Sequence, residues 1–358
     1  MDLDFDEAQY EVQREARRFL EEQCPPAHVR EHVEDPAAWS RGLWKQMADL
    51  GWTAMPFPEE HGGLGMGYLD VVLLIAELGR VVAPVPYLSS IAICGVAIDR
   101  TGSDEQRGRL LPELASGERV AAPVSPGEGD FGEVRIEAVP EGSGWRIRGA
   151  KPAVYDAPAA DRFLVGAEVD GAQRLFVVDD GFEVTPQTGF DLTRPIGEVR
   201  FDDAPAELLE GDPEAAFRLA VASACAELIG VAGKVLDLTV AYSKDRVQFD
   251  RPIGSFQAIK HRCAEMATLL DASRAATYYA CWAADADAED AQLAVSSAKS
   301  YVSDACGWIA GEGIQVHGGI AYTWEHDMHL YARRIKSLQA AFGDAHRHRE
   351  VVAGIAGL

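Results

Sequence analysis

Between Arg119 and Glu210 the residues alternate apolar and polar in short runs, among them GWRIRGAKPAVY, DRFLVGAEVD, AQRLFVVDD and GEVRFDDA. Side chains on a strand point to opposite faces in turn, so this period of two marks strands with one face buried. Gly and Pro punctuate the runs as turns. Six to eight strands with no helix between them exclude a parallel sheet with crossover helices and predict an antiparallel barrel or sandwich. On both sides the period changes to three or four residues. Phe5, Ala8, Val12, Ala16, Phe19 and Leu20 share one face of a helix over 5–23, which Cys24-Pro25-Pro26 ends. Trp39, Leu43, Trp44, Met47 and Leu50 do the same over 37–51, with Gly51 placed to stop it. The chain is therefore expected to be α+β: a helical domain (1–118), a β domain (119–212) and a C-terminal domain of four long helices (213–358).

Within the first domain, further helices are expected over 68–80, 86–101 and 105–116, the last N-capped by Asp104. PFPEEHGGLGMG (56–67) is glycine-rich, but prolines rather than a strand precede it, so it reads as a structural loop and fails as a dinucleotide fingerprint. The C-terminal helices are expected over 213–245, 256–285 and 289–311, the third ending at Gly311-Glu312-Gly313, with a final helix from Glu325.

The net charge of −24 argues against a nucleic-acid partner, which needs a basic face. The six cysteines form no C-x-x-C pair, so neither a zinc ribbon nor a dithiol redox motif is signalled. His326/His329 and His346/His348 match no metal-site spacing. The acidic, amphipathic start is unlike a signal peptide. The apolar tracts near 83–98 and 221–233 fall short of the roughly 20 residues of a membrane span. A cytoplasmic location is the default expectation.

Tyr242–Lys260, YSKDRVQFDRPIGSFQAIK, joins two helical segments, and its middle is not helix-compatible. Pro252 lacks an N–H and biases Arg251 away from the α region, and Gly254 adds a second break. Arg246 and Arg251 flank Phe249, and Gln257 follows. Guanidinium, aromatic face and amide on one tight turn suit an adenine nucleotide. The alternative is a helix connection with solvated arginines.

RVQFDRPIGSFQAIKHRCAEM, QVHGGIAYTWEHDMHLYARR, LGWTAMPFPEEHGGLG and AELGRV occur in this order, with a β domain between two helical ones. In this the chain resembles the acyl-CoA dehydrogenase family over nearly its whole length. The resemblance implies a flavoprotein with FAD between the β domain and the C-terminal bundle, across a subunit interface in a tetramer. It implies α,β-desaturation of an acyl-CoA thioester, in which a carboxylate removes the α-proton and the flavin takes the β-hydride. The implied electron acceptor is an electron-transfer flavoprotein.

Carried over residue by residue, the adenine and pyrophosphate half of a neighbouring subunit's FAD falls on Arg246, Phe249, Ile253, Gln257, Gln315, Gly318 and Gly319. Asp250 stands where the family has glycine. For the flavin ring, the segment AAPVSPGEGD offers Ser125 and Asp130, and KPAVYD puts Ala153 at the family's tryptophan position and Tyr155 at its threonine position. Ser125 and Tyr155 read equally as ordinary β-domain residues.

The base departs most. The family's Glu-Gly pair after the arginine falls on Phe342-Gly343, with Asp344 next, and a second known location falls near Ala220. Glu227 lies two turns beyond Ala220 on roughly the same helix face, the lone carboxylate of VASACAELIG. Burial there is expected to raise its pKa, as a base needs. Glu227 and Asp344 are the candidate bases; a structural glutamate paired with a neighbour is the other reading of Glu227. Two functions follow: an FAD-dependent acyl-CoA desaturase, or a non-catalytic subunit lending its nucleotide-binding edge to a partner. Some actinobacterial members of the family form such mixed tetramers on bulky thioesters such as steroid side-chain CoA esters.

Overall fold

The computed structural model describes residues 5–125, 136–142 and 144–358; Asp130 lies outside them. The chain packs as two compact units, each assembled from separated stretches. One comprises Met1–Val29, Tyr68–Ala83 and Val221–Leu358, the other Arg30–Gly67 and Pro84–Ala220.

In chain order the helices before the strands are α1 (Glu7–Gln23), α2 (Pro26–Arg30), α3 (Arg41–Asp49), α4 (Tyr68–Arg80), α5 (Val96–Thr101) and α6 (Asp104–Ala115). Asp6 and Gln9 form a capping box that starts α1, satisfying two otherwise orphaned N–H groups. The expected cap of α6 is corrected by one residue. Ser103 accepts from Gln106 N, and Gln106 reaches back to Ser103 N, so Asp104 is the first helical residue. The expected helix over 86–101 is in part another conformation: Leu88–Gly95 is a π-helix, entirely buried, that passes into α5. Gly95 permits its packing, because a Cβ there would stand 2.4 Å from Phe57 Cζ.

Seven strands follow: β1 (Ala121–Val124), β2 (Glu137–Glu141), β3 (Gly144–Tyr155), β4 (Arg162–Val169), β5 (Ala172–Val178), β6 (Phe182–Gln187) and β7 (Ile196–Leu209). The path β4-β2-β3-β7-β5 returns to β4, so the sheet closes on itself; β1 adds beside β4 and β6 beside β7. Most pairs are antiparallel, whereas β1 and β2 meet β4 in parallel. Closure leaves Ile147, Phe163, Val165, Phe176, Val199 and Phe201 as a common interior, with β1 and β6 as the strands paired on one side only among the described residues.

The rest is helical: α7 (Pro213–Asp245), a short hairpin of β8 (Val247–Gln248) and β9 (Arg251–Pro252), α8 (Gln257–Asp285), α9 (Ala291–His317), α10 (Met328–Ala340) and α11 (Ala345–Ile355). Two expectations are corrected here. First, α9 does not stop at Gly311-Glu312-Gly313 but runs to His317. Gly313 serves close approach instead, since a Cβ there would lie 2.6 Å from Val235 Cγ1 on α7. Second, the final helix is split, with Phe342 (φ 59°) and Gly343 (φ 91°) in the left-handed region between α10 and α11.

By length and composition α7 could cross a membrane, but 89% of its most apolar window is buried. Gly230 places its backbone against α4, where an added Cβ would stand 1.9 Å from Ala76 O. Five cysteines are buried and Cys263 is half-buried.

Candidate functional site

The sequence-predicted nucleotide residues fall on two neighbouring segments of the helical unit. Tyr242 O accepts from Arg246 N at 2.8 Å as α7 ends, and Arg246 O accepts from Ile253 N at 2.8 Å. The hairpin between them pairs Val247 with Pro252 and Gln248 with Arg251. Its turn residues Phe249 (φ 54°) and Asp250 (φ 59°) are both left-handed, as a two-residue type I′ turn requires. Glycine adopts such angles without cost, so Asp250 carries strain at this position. The turn leaves Phe249 86% exposed. Arg251 covers the Phe256 ring at 4.0 Å, and Phe249 meets Phe256 edge to face at 6.0 Å.

The second segment is the end of α9. Gly318 turns the chain with φ 69°, and a Cβ on Gly318 or Gly319 would meet nothing within 4 Å. Backbone amides there are open to close approach by an anion. Arg246, Phe249, Gln257, Gln315 and Gly319 are exposed, and Ile253 and Gly318 half-buried. The two segments are joined by residues that sequence reasoning did not single out. Tyr242 stacks on His317 with centroids 4.4 Å apart and planes 24° apart. His326 stands edge-on to His317 at 5.0 Å.

The candidate bases sit elsewhere and are engaged. Glu227, 3% exposed, forms an ion pair with Arg334, 1% exposed. Both charges are buried, and each neutralises the other's desolvation cost only while the pair is intact. Asp344 caps α11, accepting from Arg347 N at 2.9 Å. That bond holds its carboxyl below the usual value of 3.8, the opposite of what a base needs. The Phe342–Gly343 connection is fastened to α9. His348 of α11 bonds Phe342 O through Nε2 at 3.0 Å and Ser296 Oγ of α9 through Nδ1 at 3.2 Å, and the buried Lys299 of α9 donates to Leu338 O at 2.6 Å. Burial lowers the pKa of both His348 and Lys299. Thus His326 and His348 have structural partners.

Ser125 and Tyr155 belong to the other unit. Ser125 follows β1 and is exposed; Tyr155 ends β3 and is half-buried. Beside Tyr155 the backbone is strained twice, at Ala153 (φ 55°) and Asp156 (φ 58°). Gln187 accepts from Ala153 N at 3.1 Å. Asp156, 1% exposed, accepts from Ser89 Oγ at 2.5 Å and lies 3.8 Å from Arg194 Nε. The Arg194 guanidinium stands 5.7 Å from the Tyr155 ring centroid, within cation–π range.

The order of helical, β and helical regions agrees with comparisons to known proteins. A family model described as acyl-CoA dehydrogenase, N-terminal domain, matches residues 6–118, and one described as acyl-CoA dehydrogenase, C-terminal domain, matches 214–356. Acyl-CoA dehydrogenase FadE27 of Mycobacterium tuberculosis is 32% identical over 337 residues, covering 90% of each chain. A structure of the ChsE4-ChsE5 complex from Mycobacterium tuberculosis superposes with a TM-score of 0.92 at 29% identity over 100% of both chains. A variant of the Tcur3481-Tcur3483 steroid ACAD superposes at 0.91 with 28% identity over 98% of both. With two domain models in sequence order and a relative of this identity along nine-tenths of its length, the chain belongs to the acyl-CoA dehydrogenase family.

Proposed function

We propose that this chain is one subunit type of a heteromeric, FAD-dependent acyl-CoA dehydrogenase, lending the adenine half of the FAD site to a partner subunit that carries the catalytic base. The observation that carries this reading is the contrast in commitment. The nucleotide edge presents Arg246, Phe249, Gln257 and Gln315 outward, while Glu227 and Asp344 are bound to Arg334 and to the α11 backbone. The edge fits an adenosine diphosphate moiety: a cation and a glycine pair for the diphosphate, an aromatic face and two amides for the base. Arg246 neutralises the diphosphate, Gly318 and Gly319 offer backbone amides to it, and Phe249 packs on a ring while Gln257 and Gln315 orient the nucleotide. Ser125 and Tyr155 are the candidate contacts to the flavin ring. Bound FAD supplies the hydride acceptor for α,β-desaturation, and an electron-transfer flavoprotein is the proposed oxidant of the reduced assembly.

Two of the matched structures support a mixed assembly and a bulky substrate. One is a complex of ChsE4 with ChsE5, the other a steroid ACAD. The proposed substrate is accordingly a bulky acyl-CoA thioester such as a steroid side-chain ester. Co-expression with candidate partners, followed by flavin absorbance and subunit stoichiometry, tests the reading. The expected result is a colourless chain alone and a flavin-loaded, active mixed oligomer. A chain that is yellow alone, at one flavin per chain, and bleached by an acyl-CoA would overturn it in favour of a self-sufficient enzyme with Glu227 as its leading base.

A further inference from the structure

The two halves of the nucleotide edge have no covalent reason to keep their spacing. One leaves the end of α7 and the other the end of α9, and Arg246 and Gly318 are 72 positions apart in the chain. Three contacts fix them. Gly313 lets α9 close on α7 at Val235. One turn further on, the rings of Tyr242 and His317 stack at 4.4 Å. Arg246 N bonds back to Tyr242 O at 2.8 Å, so the hairpin starts from the stack, and Gly318 directly follows His317.

Backbone bonds also fix the rings' orientation. His317 is 5% exposed, and its Nδ1 bonds Gly313 O at 2.7 Å, which makes that nitrogen the donor. His326 Nδ1 accepts from Met328 N at 3.1 Å, which ties the 318–327 connection to the start of α10. His326 then stands edge-on to His317 at 5.0 Å. The result is a cluster of three rings, from α7, α9 and the connection to α10, in which backbone bonds hold the two histidines and Tyr242 stacks on one of them; the hairpin follows Tyr242 and the double glycine follows His317.

We infer that Tyr242 and His317 are positioning residues whose stacked rings hold the Arg246–Phe249 hairpin and the Gly318-Gly319 turn at the separation one adenosine diphosphate unit bridges. This rests on reading the edge as the adenine half of an FAD site. The ring face carries the effect, not the hydrogen bond to Gly313, because only the ring reaches α7.

The test uses the flavin-loaded assembly as isolated, stripped of flavin and titrated with FAD and with FMN, which lacks the adenylate. The wild type is expected to bind FAD more tightly than FMN. His317→Asn keeps a donor toward Gly313 O but removes the ring; it is expected to bind FAD about tenfold more weakly, the scale of one lost aromatic pair. Its FMN binding stays unchanged, and the loss of a buried ring lowers its unfolding midpoint while leaving it folded under the titration conditions. His317→Phe restores the ring and is expected to recover FAD affinity to within about twofold. Asn binding FAD like wild type, Phe binding as weakly as Asn, or an equal loss of FMN affinity in Asn would each overturn this inference alone. A wild type that binds FAD and FMN alike would overturn the adenine reading itself, and the inference with it, before any variant is made.

Discussion

The proposed nucleotide edge and the Glu227–Arg334 pair lie in the same helical unit and are built on opposite terms. The edge keeps its aromatic tip 86% exposed and accepts backbone strain at Phe249 and Asp250 to do so. The pair is buried, and its two charges answer each other. An aromatic side chain held open at such a cost is a candidate for contact outside the chain, whereas a buried charge with a partner has a role within the fold. Burial alone therefore does not mark a carboxylate as a base, because the same burial serves an ion pair within the fold.

The largest expected effect tests the buried side of that contrast. Arg334→Leu leaves Glu227 buried without its cation and is expected to cost about 3–5 kcal/mol, measured by denaturant unfolding. Replacing both by leucine should recover much of the loss. In the same region, Glu227→Gln is expected to keep the turnover of the assembly. A fall of more than about a hundredfold in a folded variant would make Glu227 the base and break the comparison.

On the open side, Arg246→Ala is expected to weaken FAD binding by about ten- to a hundredfold, the range of one charge-assisted hydrogen bond. Stability should move by no more than about 0.5 kcal/mol, because the side chain is exposed. A loss of stability without a loss of affinity would assign Arg246 to the fold.

The smallest effect concerns Asp344. Removing the cap in Asp344→Ala is expected to cost about 1 kcal/mol near neutral pH. The bond from Arg347 N lowers the folded pKa below the unfolded 3.8, so the unfolded chain binds the proton more readily. The stabilisation is therefore present above that unfolded value and is lost as pH falls through the lower folded one. Unfolding curves of wild type and variant should converge in acid. A difference that persists there would remove the cap as its cause.

The elements were legible wherever local periodicity decides them. Pro213–Asp245 and Tyr68–Arg80 emerged with the bounds their apolar spacing implies. Errors arose where a residue's purpose is tertiary. Gly313 has the composition of a helix stop, yet it lies inside α9 because Val235 needs the space. The π-helix at Leu88–Gly95 has the same apolar content as an α-helix, and only its packing distinguishes it. At the site, the motif residues were readable as residues. Their supports were not, because Arg334 lies 107 residues from Glu227 and Arg194 lies far along the chain from Tyr155. Pairing of that kind is a property of the folded chain.

The cysteines have a practical consequence. Burial pushes the Cys24 thiol up to about 12 and Cys225 to about 11, and raises those of Cys94, Cys281 and Cys306 as well. Thiolates are the reactive form, so these five are slow toward alkylating reagents while the protein is folded. Cys263 is half-buried on α8, the helix that follows the hairpin. Burial raises the Cys263 thiol as well, so its partial exposure is what sets it apart, and limited maleimide labelling is expected to reach Cys263 before the other five, beside the hairpin whose order a fluorophore there would report.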